Sequence, residues 1–518
     1  MDPVSPPTKA PSPGEGAFVV LDGSSLDPAA VAALAGREAE PAVPPQALAR
    51  AERCWRTARD LATSGRLYGR HTGVGANRMV FVAAEEQAGQ DLRLLRSHAG
   101  GIGVLLPARQ TRAMLAIRAN QVLAGGSGLQ PAVVQAMVEA LRLGVHPAVN
   151  EYGAVGTGDL TALAQTGLTL IGERPWLSGD LAPGETDAAR SLPTTVPAPV
   201  TLELGDALAL MSSSALTLGQ AALVCHDVDV LLRAGHAVAA LSLAAVSGSL
   251  EAYAAPVHAL RPYPGAVHAA SEVRRLLGVP DRPRSTGLRI QDPYGFRVFP
   301  QVHGPALEAA GELRGILGVE LNSPSENPLI TENGGPDGGP AAYHHGGFFA
   351  TPLGLSLDRL CLALLQTGQL SAARLSSYAD PELTGLRSFL AEGPAASSGV
   401  MILEYSANAA LAELRACAAP ASAGHAVLSR GLEEAASFAS QGARQAERAV
   451  DAYRLVLACE LVAAVRALRQ QQRGVPAAVP TAPVLAALDA GLPEGGEDRP
   501  LTADVAAASA LLPALAEL

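Results

Sequence analysis

Ala207–Cys225, ALALMSSSALTLGQAALVC, carries no charge over 19 residues. By length it qualifies as a membrane crossing. Its apolarity is only moderate, however, and it holds Ser212, Ser213, Ser214, Gly219 and Gln220. A helix buried at the centre of an oligomer is the better reading. The helical pattern around it runs over about 203–253. Similar long apolar patterns recur at about 304–319, 350–376 and 428–470, without glycine clusters and with few β-branched runs. Strand signals are sparse. The expected fold class is therefore mainly α, with a central bundle of long helices.

Bulk composition agrees and excludes several classes of function. The chain has 518 residues, enough for more than one packed unit. Charged residues make up only 17% and apolar residues 48%. So few charges suit a large buried subunit interface. A net charge of −11 argues against nucleic-acid or anionic-membrane partners. Lys9 is the only lysine, in a Pro-rich stretch. Pyridoxal phosphate needs a buried lysine for its Schiff base, and a P-loop needs one for phosphate. Neither is expected. The glycine-rich stretches do not follow strands, as a dinucleotide site would require, so no nucleotide is expected either. Cys54, Cys225, Cys361, Cys417 and Cys459 are scattered and form no CxxC pair. That reads as a reducing compartment with no zinc or disulfide framework. No basic segment leads into an apolar run at the start, so a cytoplasmic location is expected.

Four regions are expected along the chain. Residues 1–45, rich in Pro, Ala and Gly, read as a mobile tail, with one strand signal at Ala17–Leu21. The pattern is helical from Pro45 to Ser64, and residues 46–203 hold further helical segments near 83–98, 108–124 and 130–144, separated by glycine-punctuated loops. Residues 204–475 hold the long helices. Residues 476–518 form a Pro-interrupted extension, with a short helix near 502–512 ahead of Pro513.

Several blocks concentrate chemistry. Tyr68-Gly69-Arg70-His71-Thr72-Gly73-Val74-Gly75 places a phenol at the start of a loop with three glycines. Taken alone it reads equally as a surface turn. His98, in Arg96-Ser97-His98-Ala99-Gly100-Gly101-Ile102-Gly103, stands at a helix end, where a lone histidine is more often structural. Glycines flank Thr157 in Tyr152-Gly153-Ala154-Val155-Gly156-Thr157-Gly158-Asp159-Leu160. Arg297 lies in Gln291-Asp292-Pro293-Tyr294-Gly295-Phe296-Arg297-Val298-Phe299-Pro300-Gln301. Its planar fork suits a carboxylate, although a buried salt bridge is the plainer alternative.

Together these blocks resemble the histidine and aromatic amino-acid ammonia-lyases, over roughly Pro45 to the C-terminus. The Gln291 block is similar to the family's Gln-Asp-Pro-Tyr-x-x-Arg-x-x-Pro-Gln nearly residue for residue. The Tyr68 block resembles its Tyr-Gly-x-x-Thr-Gly-x-Gly loop, and the His98 block that of the histidine branch. Arg118-Ala119-Asn120 with Gly125-Gly126-Ser127-Gly128 also matches, as does Glu320-Leu321-Asn322-Ser323-Pro324-Ser325-Glu326-Asn327-Pro328. Both read as architecture.

The resemblance implies a homotetramer with shared active sites. It also implies an electrophile called MIO, a methylidene-imidazolone made when an Ala-Ser-Gly triplet cyclises and loses two waters. By carry-over, Arg297 binds the substrate carboxylate and Tyr68 is the base for the β-proton. Tyr294 and Gln291 flank the prosthetic group, and His98 recognises the side chain. Glu433 falls where the family has an acidic or amide pair at the start of a long helix, in contact with the substrate.

Three positions depart from the pattern. Gly156-Thr157-Gly158 replaces Ala-Ser-Gly. Threonine would leave an extra methyl on the carbon that must be attacked, giving a hindered MIO analogue or no prosthetic group. Ser212 stands where the family's asparagine holds the prosthetic group's oxygen, and is a weaker partner for it. Tyr343-His344-His345-Gly346 replaces Asn-Phe-His-Gly, turning an aromatic into His344. All three lie in the active-site shell, which suggests repurposing rather than decay.

The resemblance therefore implies a carbon–nitrogen lyase that eliminates or moves the α-amino group of an aromatic or heteroaromatic amino acid. Two alternatives stay open. One drops the prosthetic group and uses Tyr68, Tyr294, His98, His344 and Glu433 for dehydration, cyclisation or isomerisation in specialised metabolism. The other is a non-catalytic ligand-binding relative. No metal ligand set is visible.

Overall fold

The computed structural model describes residues 17–64, 67–87, 89–179, 192–284, 289–471, 491–493 and 495–518. Helices dominate. Four two-stranded sheets are all the sheet structure among the described residues. The chain divides into two compact units. The first takes Met1–Gly219, Gly318–Phe348 and Val427–Glu434; the second takes Gln220–Leu317, Phe349–Ala426 and Ala435–Leu518.

In the first unit, residues 17–42 correct the expectation of a mobile tail. Strand Ala17–Val20 pairs in parallel with Ala39–Ala42. Helix Pro28–Gly36 connects them, with Asp27 capping its start by accepting the Ala30 N–H at 2.8 Å. Val31, Leu34 and Ala35 are buried. Apolar burial outweighs the Pro- and Gly-rich composition that suggested mobility. Residues 1–16 lie outside the described ones. Helix Ala108–Leu123 is the unit's centre, buried along nearly its whole length. Helix Pro45–Ser64 has the bounds its periodicity predicts.

Some helix boundaries differ from expectation. The apolar run over 203–253 is two helices, Asp206–Met211 and Ala215–Ala245, broken at Ser212–Ser214. At this break the Ser212 side chain bonds the Asn327 N–H and the Ser213 side chain bonds Gln121. The run Asp206–Ala245 is long and apolar enough to cross a membrane, yet 94% of its most apolar window is buried inside the chain, as for a core helix. The helix expected from about residue 428 begins only at Ala439. Before it, Ser429, Arg430, Gly431 and Phe438 hold left-handed backbone (φ 50°, 57°, 83° and 51°), which no α-helix accommodates.

The second unit is built on long helices. Thr351–Ser377 packs along Ala439–Gln470, and Met401–Cys417 packs on both. At its heart Arg374 and Glu460 form a buried ion pair, Nε to Oε1 at 2.5 Å and Nη2 to Oε2 at 2.7 Å. Ser242 and Ser371 hydroxyls donate to the same carboxylate at 2.6 Å each. Helix Pro264–Leu276 approaches Phe299–Glu320 so closely that a Cβ on Gly265 would stand 2.2 Å from the Gly304 carbonyl oxygen. The last helix, Thr502–Ala516, runs through Pro513 rather than stopping ahead of it.

Candidate active site

The triplet Gly156-Thr157-Gly158 lies in the loop between strand Asn150–Tyr152 and helix Leu160–Leu170. Gly156 has φ 87° and Gly158 φ 111°, conformations that side chains rarely adopt. The loop's exit is anchored by Asp159, which is buried. Its N–H donates to the Ser213 carbonyl at 2.7 Å. Its carboxylate accepts the Thr217 N–H at 2.7 Å and the Thr217 hydroxyl at 2.9 Å. Thr217 lies in the first turn of helix Ala215–Ala245, so the anion sits where backbone N–H groups lack helical partners. Cyclisation requires the Gly158 nitrogen to attack the Gly156 carbonyl. Among the described residues no hydrogen bond engages that nitrogen, and both flanking glycines are bent. The backbone therefore fits the prosthetic group the sequence pattern implies. The extra methyl of Thr157, which is half-buried, is the one departure at this point.

The turn beside the triplet is held from below. Arg118 is fully buried, and its guanidinium donates to the Leu210 carbonyl at 3.1 Å and to that of Ala209. A cation thus satisfies the last carbonyls of helix Asp206–Met211. Burial pushes this guanidinium down to about 10. Ser213 Oγ donates to Gln121 Oε1 at 2.6 Å. Ser212 Oγ accepts the Asn327 N–H at 2.9 Å, and the Ser212 carbonyl accepts the Ser325 hydroxyl at 3.0 Å. The two blocks read as architecture, around Arg118 and Asn322–Pro328, therefore shape this wall. The contact to Asp159, the residue that follows the triplet, comes from the Ser213 carbonyl. Sequence reading missed it, because a backbone carbonyl carries no residue signal.

Tyr68, His344 and Glu433 come together in the same unit. The Tyr68 hydroxyl oxygen accepts the Gly75 N–H at 2.8 Å, across the glycine-rich loop. Burial pushes the phenol's pKa up, and the charge of Glu433 adds to this; the Gly75 hydrogen bond and Arg78 oppose it. The His344 ring meets the Tyr68 ring edge-on, centroids 6.1 Å apart. Glu433 is not at a helix start. It closes a short bridge with Leu428, and its carboxylate accepts the Ser429 hydroxyl at 2.8 Å. His98 ends helix Gln90–His98, its Nδ1 3.0 Å from the Leu94 carbonyl. Among the described residues no hydrogen bond or ring contact joins it to the other candidates.

In the second unit the short helix Tyr294–Arg297 carries the other two principal candidates. The Arg297 guanidinium stands 4.4 Å over the Tyr294 ring centre. Arg297 Nε is buried and has no hydrogen-bond partner. Tyr294 and Gln291 are exposed. The helix is tied to the buried ion pair through Arg374 Nη1, which donates to the Gly295 carbonyl at 3.1 Å. The Tyr253 hydroxyl donates to the Phe296 carbonyl at 2.5 Å. Asp292 accepts the Ser249 N–H at 2.5 Å and the Arg289 Nε–H at 2.7 Å.

Comparison with known proteins agrees with the mainly helical fold. The family described as aromatic amino acid lyase matches residues 26–490. The histidine ammonia-lyase of Koribacter versatilis is 34% identical over 470 residues, 88% of this chain and 89% of that one. The crystal structure of histidine ammonia-lyase from Trypanosoma cruzi superposes with a TM-score of 0.85 at 27% identity, covering 96% of this chain and 93% of that one. The tyrosine aminomutase of Streptomyces globisporus gives a TM-score of 0.86 at 26% identity, covering 96% and 97%. The chain belongs to the aromatic amino acid lyase family.

Proposed function

We propose that the chain is a carbon–nitrogen lyase, or an aminomutase using the same chemistry, whose substrate is an α-amino acid with an aromatic or heteroaromatic side chain. The observation that carries this reading is Arg297 Nε, a buried donor on a permanent cation with no partner. Such a group is costly to bury unless an anion completes it. A substrate carboxylate, taken bidentately, is that anion.

The remaining roles follow from the chemistry of each side chain. Tyr68 takes the β-proton, its oxygen already steadied by the Gly75 N–H. Tyr294 assists the departing amine, and Gln291 contacts the substrate. His98, His344 and Glu433 recognise the substrate side chain, which favours a ring able to hydrogen-bond. When formed from Gly156-Thr157-Gly158, an MIO-type group supplies an electrophile for the amine; Asp159 and the Ser213 carbonyl hold the backbone that would form it. The reading calls on no metal, pyridoxal phosphate or nucleotide, and on no nucleic-acid or membrane partner. It places the enzyme in the cytoplasm as a homotetramer. Leu355, Leu362, Ile402 and Tyr405, exposed on two of the long helices, offer apolar surface for that assembly.

The test is the mass of the purified chain and its peptides, with Thr157→Ala as control, followed by turnover of His, Tyr, Phe and Trp. Loss of two waters confined to the peptide holding residues 156–158, together with release of ammonia or a β-amino acid, is expected. No turnover of any of the four counts against the reading.

A second reading keeps the pocket without the electrophile. It is favoured by Ser212, whose Oγ accepts the Asn327 amide and so is committed to the wall. Native activity that survives Thr157→Ala would select it.

A further inference from the structure

The Tyr68 phenol is a reluctant base. It is half-buried, its oxygen already accepts one hydrogen bond, and the charges it feels are Glu433 and Arg78. A phenol that takes a proton from carbon must pass on its own. The structure supplies a neighbour suited to receive it. His344 directly follows strand Ala341–Tyr343, which is paired with Leu329–Thr331. The residue after it is fixed on three sides. His345 donates its N–H to Asn327 Oδ1 at 3.0 Å, its Nε2 lies 2.8 Å from the Glu326 carbonyl, and its Nδ1 accepts the Gly347 N–H at 2.9 Å. The backbone that carries His344 is thus set by the strand on one side and by a pinned imidazole on the other. The edge-on contact with Tyr68 is thus made from a backbone held on both sides. His345 is occupied with the wall, whereas His344 is exposed on its remaining sides and open to solvent.

We propose that His344 is the proton acceptor behind Tyr68, reached directly or through one water. This rests on the lyase reading above. As the substrate's β-carbon–hydrogen bond breaks, that proton moves to the Tyr68 oxygen. The phenol's own proton moves to a neutral imidazole nitrogen of His344, and the electron pair left on carbon expels the amine. The imidazolium then returns its proton to the departing amine or to water.

Two measurements test this. In the first, the rate at which diethylpyrocarbonate modifies His344 is followed by peptide mass in the wild type and in Tyr68→Phe, without substrate. Removing the hydroxyl should speed modification several-fold, because a nitrogen engaged by the phenol is shielded. An unchanged rate overturns the pairing. In the second, pH–rate profiles are compared for the wild type, His344→Phe and His344→Ala. His344→Phe keeps the aromatic contact and should lose about 100-fold in kcat/KM together with the acid limb of the profile. Added imidazole should restore part of the rate in His344→Ala. A His344→Phe profile matching the wild type overturns the role. A wild type that turns over no amino acid sinks the lyase reading, while the modification rates still decide the pairing.

Discussion

Asp159 and Thr217, 58 residues apart in the chain, are joined by two hydrogen bonds, from the Thr217 backbone N–H and from its hydroxyl to the two oxygens of one buried carboxylate. This places the exit of the triplet loop on the first turn of helix Ala215–Ala245. The position of Thr157 is therefore set by that helix rather than by its own loop.

Replacing Asp159 by Ala should accordingly act in two ways. Loss of a buried, charge-assisted pair of hydrogen bonds at a helix N-terminus should cost about 2–3 kcal/mol. It should also abolish the loss of water from the peptide holding residues 156–158. Thr217→Val, which keeps the backbone N–H donor, should cost only about 1 kcal/mol. Urea midpoints and peptide masses read both effects; equal midpoints for the two variants would contradict the arrangement.

Arg297→Lys preserves charge but loses the planar fork. It should lower kcat/KM for an α-amino acid by about 10–100-fold, and Arg297→Met by considerably more. Neither variant should destabilise the fold strongly, since Arg297 Nε has no internal partner to lose. An Arg297→Met enzyme with undiminished kcat/KM would remove the carboxylate from this position.

The Arg374–Glu460 pair supports the turn that carries Arg297, through the Gly295 carbonyl. Glu460→Leu alone strands a buried guanidinium and should cost about 3–5 kcal/mol. Adding Arg374→Met should recover much of that. Activity should stay low even in the double variant, because the hydrogen bond to Gly295 is gone. Denaturation midpoints of the singles and the double give the coupling; a double variant less stable than either single would rule out this account.

Acid should loosen the second unit. His236 is buried, and its ring meets His303 at 4.7 Å and His268 at 5.6 Å. Burial holds its pKa down at about 4, with the neighbouring His268 adding to the effect. His303, wedged between the Thr367 hydroxyl and the Leu232 carbonyl, is likewise held well below the ordinary value. In the unfolded chain each imidazole protonates near 6.5. Between pH 6.5 and 4 the unfolded state therefore binds more protons, and stability falls as pH falls. For His236 alone the loss is of order 3 kcal/mol. In the first unit Asp206, raised to about 6 by its own burial, pulls the stability of the whole chain the opposite way. The informative quantity is thus the difference in pH slope between the wild type and His236→Phe. Parallel slopes would show that the imidazole does not carry the effect.

The candidate site residues were chosen from residue type and spacing alone. The Gln291–Gln301 block, the Tyr68 loop and the glycines around Thr157 each pair an unusual residue with a backbone requirement, so they are visible without contacts. The Pro45–Ser64 helix and the mainly α class followed from apolar periodicity, a local property of the chain. What failed was decided at longer range. The chain from Ala17 to Ala42 looks mobile by composition but is ordered by pairing and burial. Glu433 looks helical by pattern, but left-handed residues on both sides of it keep it in a turn.

The sequence by itself determined the class of fold and the family, and it nominated the side chains proposed to carry chemistry, because these depend on residue type and spacing. Only the tertiary structure decided which of them meet. Tyr68 and His344 lie 276 positions apart and share no local pattern, yet their rings are in contact. The Ser213 carbonyl that holds Asp159, next to the triplet, is an anonymous backbone atom. The physical reason is the same in both cases. A hydrogen bond or ring contact is fixed by distance in space, and in a bundle of long helices that distance is set by packing between segments that no local periodicity relates.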